Sequence, residues 1–174
     1  MISEKMQQVL NEQVQKEFYS AYLYLSMEAY FDERNLAGFA HFFRVQVQEE
    51  RDHAMMFFKY ISYVQGKANL MQIDQPANIF DSPLNVFETG YEHELFVTKS
   101  IYKIVDLSLE EKDHKTNAFL QWFVSEQAEE EANFDANIKK LQLIGNDGRG
   151  ILMLDNELMV RIYTPLINPV LGLI

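Results

Sequence analysis

The sequence contains no cysteine and little glycine or proline. The absence of cysteine excludes a disulfide framework, thiolate catalysis, iron–sulfur clusters and cysteine-based zinc sites. It is compatible with a reducing compartment, and we expect a cytoplasmic protein. There are 7 glycines and 4 prolines in 174 residues, of which 48% are hydrophobic, and this composition favours a globular helical chain over a disordered one.

Long apolar runs and an excess of positive charge are also missing. No uninterrupted apolar stretch reaches the length of about 18 residues that a membrane span needs, so no span is expected. Residues 1–20 lack the apolar core of a signal peptide, so none is predicted. The net charge of −11 argues against nucleic-acid binding and suggests attraction for cations.

The segments between the sparse glycines and prolines have helical periodicity. Four long helices and a shorter fifth are predicted, at about 3–32, 36–65, 82–111, 113–145 and 155–164. Ser3, Ser82 and Asp113 are predicted to be N-caps, and Pro83 fits the first helical position. A single domain over residues 1–174 is expected, with the bundle at about 3–145 and a short helix and tail at about 150–174.

The connection between the second and third helices is long. Residues 66–81 include Pro76 and can span roughly 50 Å when extended. A helix of about 30 residues is roughly 45 Å long, so the connection can cross the whole bundle. The prediction is therefore an all-α four-helix bundle with one long crossover and a short fifth helix at the C-terminal end.

The inward face of each long helix is apolar except for a carboxylate near its middle. Glu17, Glu50, Glu94 and Glu130 occupy these positions, and His53 lies three residues after Glu50 on the same face. At about 1.5 Å of rise per residue, all four carboxylates fall near the midplane of the bundle. A single glutamate in such a stripe is more commonly a surface residue, but four at one height are not explained in this way.

Buried like charges need cations or shared protons, because their desolvation costs several kcal/mol each. The four inward faces contain no lysine or arginine, which leaves a pair of metal ions as the simplest explanation. Carboxylate oxygens with one imidazole suit iron or manganese, with zinc as a competitor. Two ions need a bridging carboxylate, which Glu50 or Glu130 could supply.

Several segments of the sequence resemble the ferritin family, specifically its haem-free bacterial type. They are LNEQVQKEFYSAYLYLSM, QEERDH, YEHE and FLQWFVSEQAEEE, at residues 10–27, 48–53, 91–94 and 119–131. The resemblance implies a ferroxidase centre. One iron would be bound by Glu17, Glu50 and His53, and the second by Glu50 as a bridge, Glu94 and Glu130.

The resemblance also assigns residues around the centre. Gln127 is expected close to the second iron and Tyr24 beside the centre. A third iron site of bacterial ferritins, on the cavity side, matches Glu49, Glu126, Glu129 and Glu130. By contrast, Glu131 is predicted to be solvated, and Glu28 to face solvent or an interface.

The sequence departs from related di-iron proteins in informative places. The fourth helix has Gln127-x-x-Glu130 where the symmetric di-iron pattern has Glu-x-x-His. The second ion should therefore be held less tightly, and iron is expected to pass through as a substrate. Arg51 occupies the position of the haem-binding methionine of bacterioferritins, so no haem is expected.

The resemblance implies a hollow homo-oligomeric cage of 24 subunits that stores ferric mineral, with the C-terminal helix lining fourfold channels. The apolar end of the chain, residues 161–174, is expected to be buried inside the cage or in a subunit contact. The predicted function is iron storage with ferroxidase activity, in which O₂ or peroxide oxidises Fe²⁺ to Fe³⁺. No nucleic-acid or membrane partner is expected.

Two other functions remain open at this point. One is a di-iron or di-manganese oxidoreductase of the same fold that holds its metals tightly. The other is a helical interaction or cytokine-like module whose glutamates are solvated.

Overall fold

Helices make up most of the chain. The structure, a computed structural model, describes residues 2–173. The elements are α1 Glu4–Asp32, α2 Ala37–Tyr63, α3 Pro83–Glu110, α4 His114–Ile144, α5 Gly148–Leu158, β1 Ile167–Asn168 and β2 Gly172–Leu173. The two short strands pair with each other in antiparallel fashion. The predicted all-α bundle of four long helices with a short fifth helix is confirmed.

The long connection between α2 and α3 lies along α1. The backbone of Lys67 and Asn69 forms hydrogen bonds of 3.1 and 2.6 Å with the Asn11 side chain. Further along the chain, the carbonyl of Ala77 accepts a hydrogen bond from Ser26. The connection thus follows α1 for fifteen residues, or about 22 Å at the rise of an α-helix, as a crossover requires.

The predicted N-caps are present. The side chains of Ser3, Ser82 and Asp113 each accept a hydrogen bond from the backbone N–H three residues later, at 2.9, 3.1 and 3.1 Å. Pro83 occupies the first turn of α3. These caps satisfy N–H groups that a helix start otherwise leaves without partners.

The predicted bounds of the fifth helix were wrong. The expected range was 155–164, whereas α5 spans Gly148–Leu158. Asp147 starts the helix earlier, because its carboxylate accepts hydrogen bonds from Arg149 N and Gly150 N at 3.1 and 3.2 Å. Gly148 and Gly150 lie in this first turn, and the low helix propensity of glycine obscures the start of the helix in the sequence.

A side chain of helix α5 caps the N-terminus of α2. Leu36, the N-cap of α2, offers no side-chain hydrogen bond. Asp155 of α5 takes that role, since its Oδ1 accepts from Gly38 N at 2.8 Å and Phe39 N at 2.9 Å. A Cβ at position 38 would lie 1.6 Å from the Asp155 carbonyl oxygen, so glycine is required there. The cap therefore fixes α5 against the end of the bundle.

The bundle has two apolar clusters, one toward each end. The upper cluster includes Phe31, Phe39, Phe43, Phe87 and Phe134. The lower cluster includes Phe57, Tyr60, Ile101, Phe119 and Phe123. On each long helix the inward carboxylate lies between the two. Among the described residues, no helix combines the length and apolarity that crossing a membrane would take.

Candidate metal centre

The structure buries all four midplane carboxylates and the adjacent histidine. Glu17, Glu50, Glu94 and Glu130 are exposed by only 1%, 2%, 1% and 2%, and His53 by 1%. Each is carried by a long helix that is apolar above and below it, so the two clusters cover these side chains from both ends of the bundle. The result is a polar layer between two hydrophobic cores.

Glu17, Glu50 and His53 form the tightest group in this layer. One ligand atom from each lies within 4.8 Å of the other two. His53 Nδ1 donates a hydrogen bond of 3.3 Å to Glu50. Glu17 Oε2 and His53 Nε2 are buried and have no hydrogen-bond partner within the described chain. Since a buried polar atom without a partner is costly, this set of oxygens and nitrogen fits a bound iron or manganese ion.

Glu94 and Glu130 lie outside that tight group and have their own partners. Glu94 accepts hydrogen bonds from the hydroxyl of Tyr24 and, at 3.0 Å, from Gln127 Nε2. Glu130 accepts from Gln46 Nε2 at 2.9 Å. The structure therefore brings Gln127 and Tyr24 to the same carboxylate, next to the place expected for a second ion.

Burial raises the affinity of the centre for protons. It raises the pKa of Glu17 and raises that of Glu50 well above its usual range. Burial, together with the charge of Glu130, raises the pKa of Glu94 to about 8. Burial alone would lower the pKa of His53, but the charge and hydrogen bond of Glu50 raise it to about 10. Without metal, protons thus balance the charge, and cations that bind must displace them.

Glutamine amides orient three of the carboxylates. Gln13 Nε2 donates to Glu17 at 2.8 Å, in the same way that Gln46 and Gln127 donate to Glu130 and Glu94. A neutral amide holds a carboxylate without competing for it as a cation would. Sequence reasoning missed Gln13 and Gln46 as functional residues. Gln13 is four residues before Glu17, and Gln46 is four before Glu50 on an inward stripe, which is the available sequence signal.

A hydrogen-bond chain extends from Glu17 toward the surface. Ser100 of α3 donates to Gln13 Oε1 at 2.6 Å, and half-buried Lys16 donates to Ser100 Oγ at 2.8 Å. Gln13 and Ser100 are 0% and 7% exposed. This chain fixes the orientation of the Gln13 amide, so that its NH₂ group faces Glu17.

Three of the four acidic residues predicted for a third site line a cavity beside the centre, while Glu130 lies in the buried central layer. Glu49, Glu126 and Glu129 all contribute to this cavity, whose volume is about 600 Å³. Glu126 Oε1 is 4.0 Å from His53 Nε2, which links the cavity to the centre. Glu49 is already paired with a residue of the C-terminal tail, Arg161, at 2.5 Å.

The prediction that Glu131 is solvated was wrong, and so was the solvent alternative for Glu28, whose interface alternative stays a prediction. Glu131 is half-buried and accepts a hydrogen bond of 2.6 Å from Thr98. Glu28 is 9% exposed and forms a 2.7 Å ion pair with Arg44 of α2. In both cases a polar partner on a neighbouring helix, which helical periodicity does not reveal, draws the carboxylate toward the bundle.

Comparison with known proteins gives consistent results. The sequence model of the family Ferritin, described as a ferritin-like domain, matches residues 7–144. A bacterial non-heme ferritin from Campylobacter jejuni is 44% identical over 155 residues, covering 89% of this chain and 93% of the relative. One from Bacteroides fragilis is 42% identical over 161 residues, covering 92% and 100%.

Solved structures are also similar. An open pore ferritin from the archaeon Archaeoglobus fulgidus has a TM-score of 0.92 and 50% identity, covering 93% of this chain and 100% of that one. A closed form of the Archaeoglobus fulgidus ferritin, made by site-directed mutagenesis, has a TM-score of 0.93 and 49% identity, covering 94% and 100%.

Proposed function

The chain belongs to the ferritin family, and we propose that it is an iron-storage protein with ferroxidase activity. It oxidises Fe²⁺ to Fe³⁺ with O₂ or peroxide and stores the ferric product as mineral inside a hollow homo-oligomeric cage of 24 subunits. The proposal includes a single ferritin-like domain over residues 1–174, no haem, and a cytoplasmic location.

The observation that carries this proposal is the buried group of Glu17, Glu50 and His53. Its ligand atoms lie within 4.8 Å of one another where two helices meet, between the two apolar clusters of the bundle. A protein with no use for cations would gain stability by replacing these groups with apolar ones. The non-heme ferritins among its relatives make iron the preferred cation.

Each residue has a proposed role toward two ferrous ions as substrates. Glu17 and His53 bind the first ion, and Glu94 and Glu130 the second. Glu50 bridges both and sets their separation, so that one O₂ can receive one electron from each ion. Two electrons and two protons bring O₂ to the level of hydrogen peroxide.

Other residues of the chain assist these ligands. Gln127 and Tyr24 orient Glu94, because both donate hydrogen bonds to its carboxylate. The second ion has no imidazole ligand, since position 127 offers an amide, and its weaker binding suits an ion that must leave after oxidation. Glu49, Glu126 and Glu129 are proposed to receive an ion on the interior side.

Addition of Fe²⁺ in air to the purified metal-free protein tests the proposal, together with a measurement of particle mass. A storage protein forms a cage and takes up many times more iron than its centres can hold. Uptake that stops at two ions per subunit would instead indicate a di-iron oxidoreductase. The absence of any uptake would contradict both and favour an interaction module.

A further inference from the structure

The segment after α5 lies along α2 and is attached to it by side chains. We call residues 161–171 the tail strap. The carbonyl of Arg161 accepts a hydrogen bond of 2.6 Å from His41 Nε2. Tyr163 donates a hydrogen bond of 2.5 Å to Asp52, the residue before His53. The strap therefore runs along the part of α2 that also carries Glu50 and His53.

The far end of the tail strap is attached to α4 and to the lower cluster. Asn168 is 0% exposed and its side chain donates to the carbonyl of Phe119 at 3.4 Å. Leu166, Val170 and Leu171 pack against the lower cluster. These contacts use residues of the same subunit, so the strap has a defined place on the bundle without any partner chain.

The side chain of Arg161 points into the acidic cavity. Its Nη2 lies 2.5 Å from Glu49 Oε2, and its guanidinium carbon lies 4.6 Å from the centre of the Phe42 ring. The side chain is only 21% exposed. Nη1 is buried and has no hydrogen-bond partner among the described residues. A guanidinium keeps its charge at every physiological pH, so this is a permanent cation inside the cavity.

The other cation that lines the cavity is already engaged. Lys140 pairs with Glu157 at 2.5 Å. Arg161 is thus the cation that faces Glu49. Glu49 lines the cavity together with Glu126 and Glu129, and we call these three residues the acidic wall. The buried and unpartnered His53 Nε2 lies 4.0 Å from Glu126, which independently marks this wall as continuous with the metal centre.

A metal ion and Arg161 cannot use the same Glu49 oxygens. The ion pair is short and largely shielded from water, so a divalent ion that binds Glu49 must first displace the guanidinium. The strap keeps the guanidinium close to Glu49, because the backbone of Arg161 and the side chain of Tyr163 are tied to α2, and detachment of the strap would withdraw Arg161 from the cavity.

We propose that Arg161 is a built-in counter-ion that holds Glu49 and keeps the acidic cavity from binding metal until the tail strap detaches. The inference rests on the proposed function, because it assumes that the neighbouring centre binds iron. The centre then fills first, and an ion enters the cavity only in exchange for Arg161. The residue thereby determines the order in which the sites are occupied.

Zinc titration of the assembled metal-free protein, followed by calorimetry, tests this. Zinc is redox-inert, so it reports binding without turnover. Wild-type protein should bind two ions per subunit at the centre, the second less tightly than the first, and a third more weakly than either. Arg161→Gln should bind a third with an affinity about tenfold or more above the wild-type value, the scale expected for removing one charge-assisted pair. Arg161→Lys should be intermediate, since a lysine keeps the charge but not the fork geometry.

Lys140→Gln is the matched control. It removes one positive charge from the same cavity but frees Glu157 and not Glu49. The affinity for the third zinc ion should therefore stay as low as in the wild type. Adding Glu49→Gln to the Arg161→Gln variant should abolish the gain. If Arg161→Gln does not assemble, Tyr163→Phe serves in its place, because it loosens the strap while keeping the arginine. It too should raise the affinity for the third zinc ion.

The inference would be overturned if Arg161→Gln bound the third zinc ion with the same affinity as the wild type. The same holds for Tyr163→Phe where that variant is used. An equal gain in Lys140→Gln would also overturn it, because a general effect of cavity charge would then explain the result. Failure of the proposed function looks different. In that case the wild-type protein does not bind the two ions of the centre, whatever residue stands at position 161.

Discussion

Gln46 of α2 donates a hydrogen bond of 2.9 Å to Glu130 of α4 in the centre of the bundle. The amide fixes one carboxylate oxygen and leaves the other available to a cation. Gln13 has the same relationship to Glu17, at 2.8 Å. The two glutamines serve different ions in the proposed centre, so they can be separated by experiment.

Gln46→Leu should weaken binding of the second metal ion about tenfold or more, as loss of an orienting hydrogen bond does at other metal sites. Gln13→Leu should instead weaken binding of the first metal ion. Zinc calorimetry on both variants distinguishes the two steps. Loss of the same step in both variants would contradict the separate assignments.

Glu50→Ala should abolish rapid iron oxidation while the cage still assembles. It removes the proposed bridging ligand but leaves the apolar clusters at both ends of the bundle intact. Stopped-flow oxidation and particle mass are the measurements. Glu92→Gln, at an exposed position of the neighbouring α3, is the control and should oxidise iron as the wild type does.

Tyr24→Phe should slow oxidation by weakening binding of the second ion, because it deletes the hydroxyl that donates to Glu94. It keeps the ring that packs in the core. The comparison is Tyr60→Phe. Tyr60 is equally buried, but its hydroxyl is bonded to Thr116, away from the centre. Equal slowing in the two variants would mean that a buried hydroxyl matters only for packing.

Asp155→Ala should destabilise the subunit by about 1–2 kcal/mol, the usual effect of losing an N-cap. The carboxylate caps α2 from α5, so the loss should also free α5 from the bundle end. Thermal unfolding of the metal-free protein measures this. Asn156→Ala is the neighbouring control, since that exposed side chain bonds only within α5, to Leu152 O, and a similar drop there would argue against the cap.

Periodicity and capping rules predict the parts of this molecule that depend on neighbouring residues in the chain. Ser82 with Pro83 marks the start of α3, and the carboxylates at 17, 50, 94 and 130 stand out because an apolar stripe surrounds each one. The centre could therefore be proposed from the sequence, with the family resemblance assigning its roles.

Contacts between distant parts of the chain could not be predicted in this way. Arg161 meets Glu49 across 112 positions, and Gln13 is fixed by Ser100 across 87. No local pattern distinguishes these residues from others on a helix surface or in a tail. The apolar character of residues 161–174 indicated burial but not the groove that receives them.

The two apolar clusters have a consequence for how this protein can change. Each end of the bundle carries its own core, and hydrogen bonds between side chains of different helices hold the layer between them. Substitutions in that layer should alter which ions bind and how fast they react, while substitutions in either core should alter folding. Chemistry and architecture are thus encoded at separate heights of the same four helices, which makes the subunit a scaffold whose reactivity can be redesigned at its midplane alone.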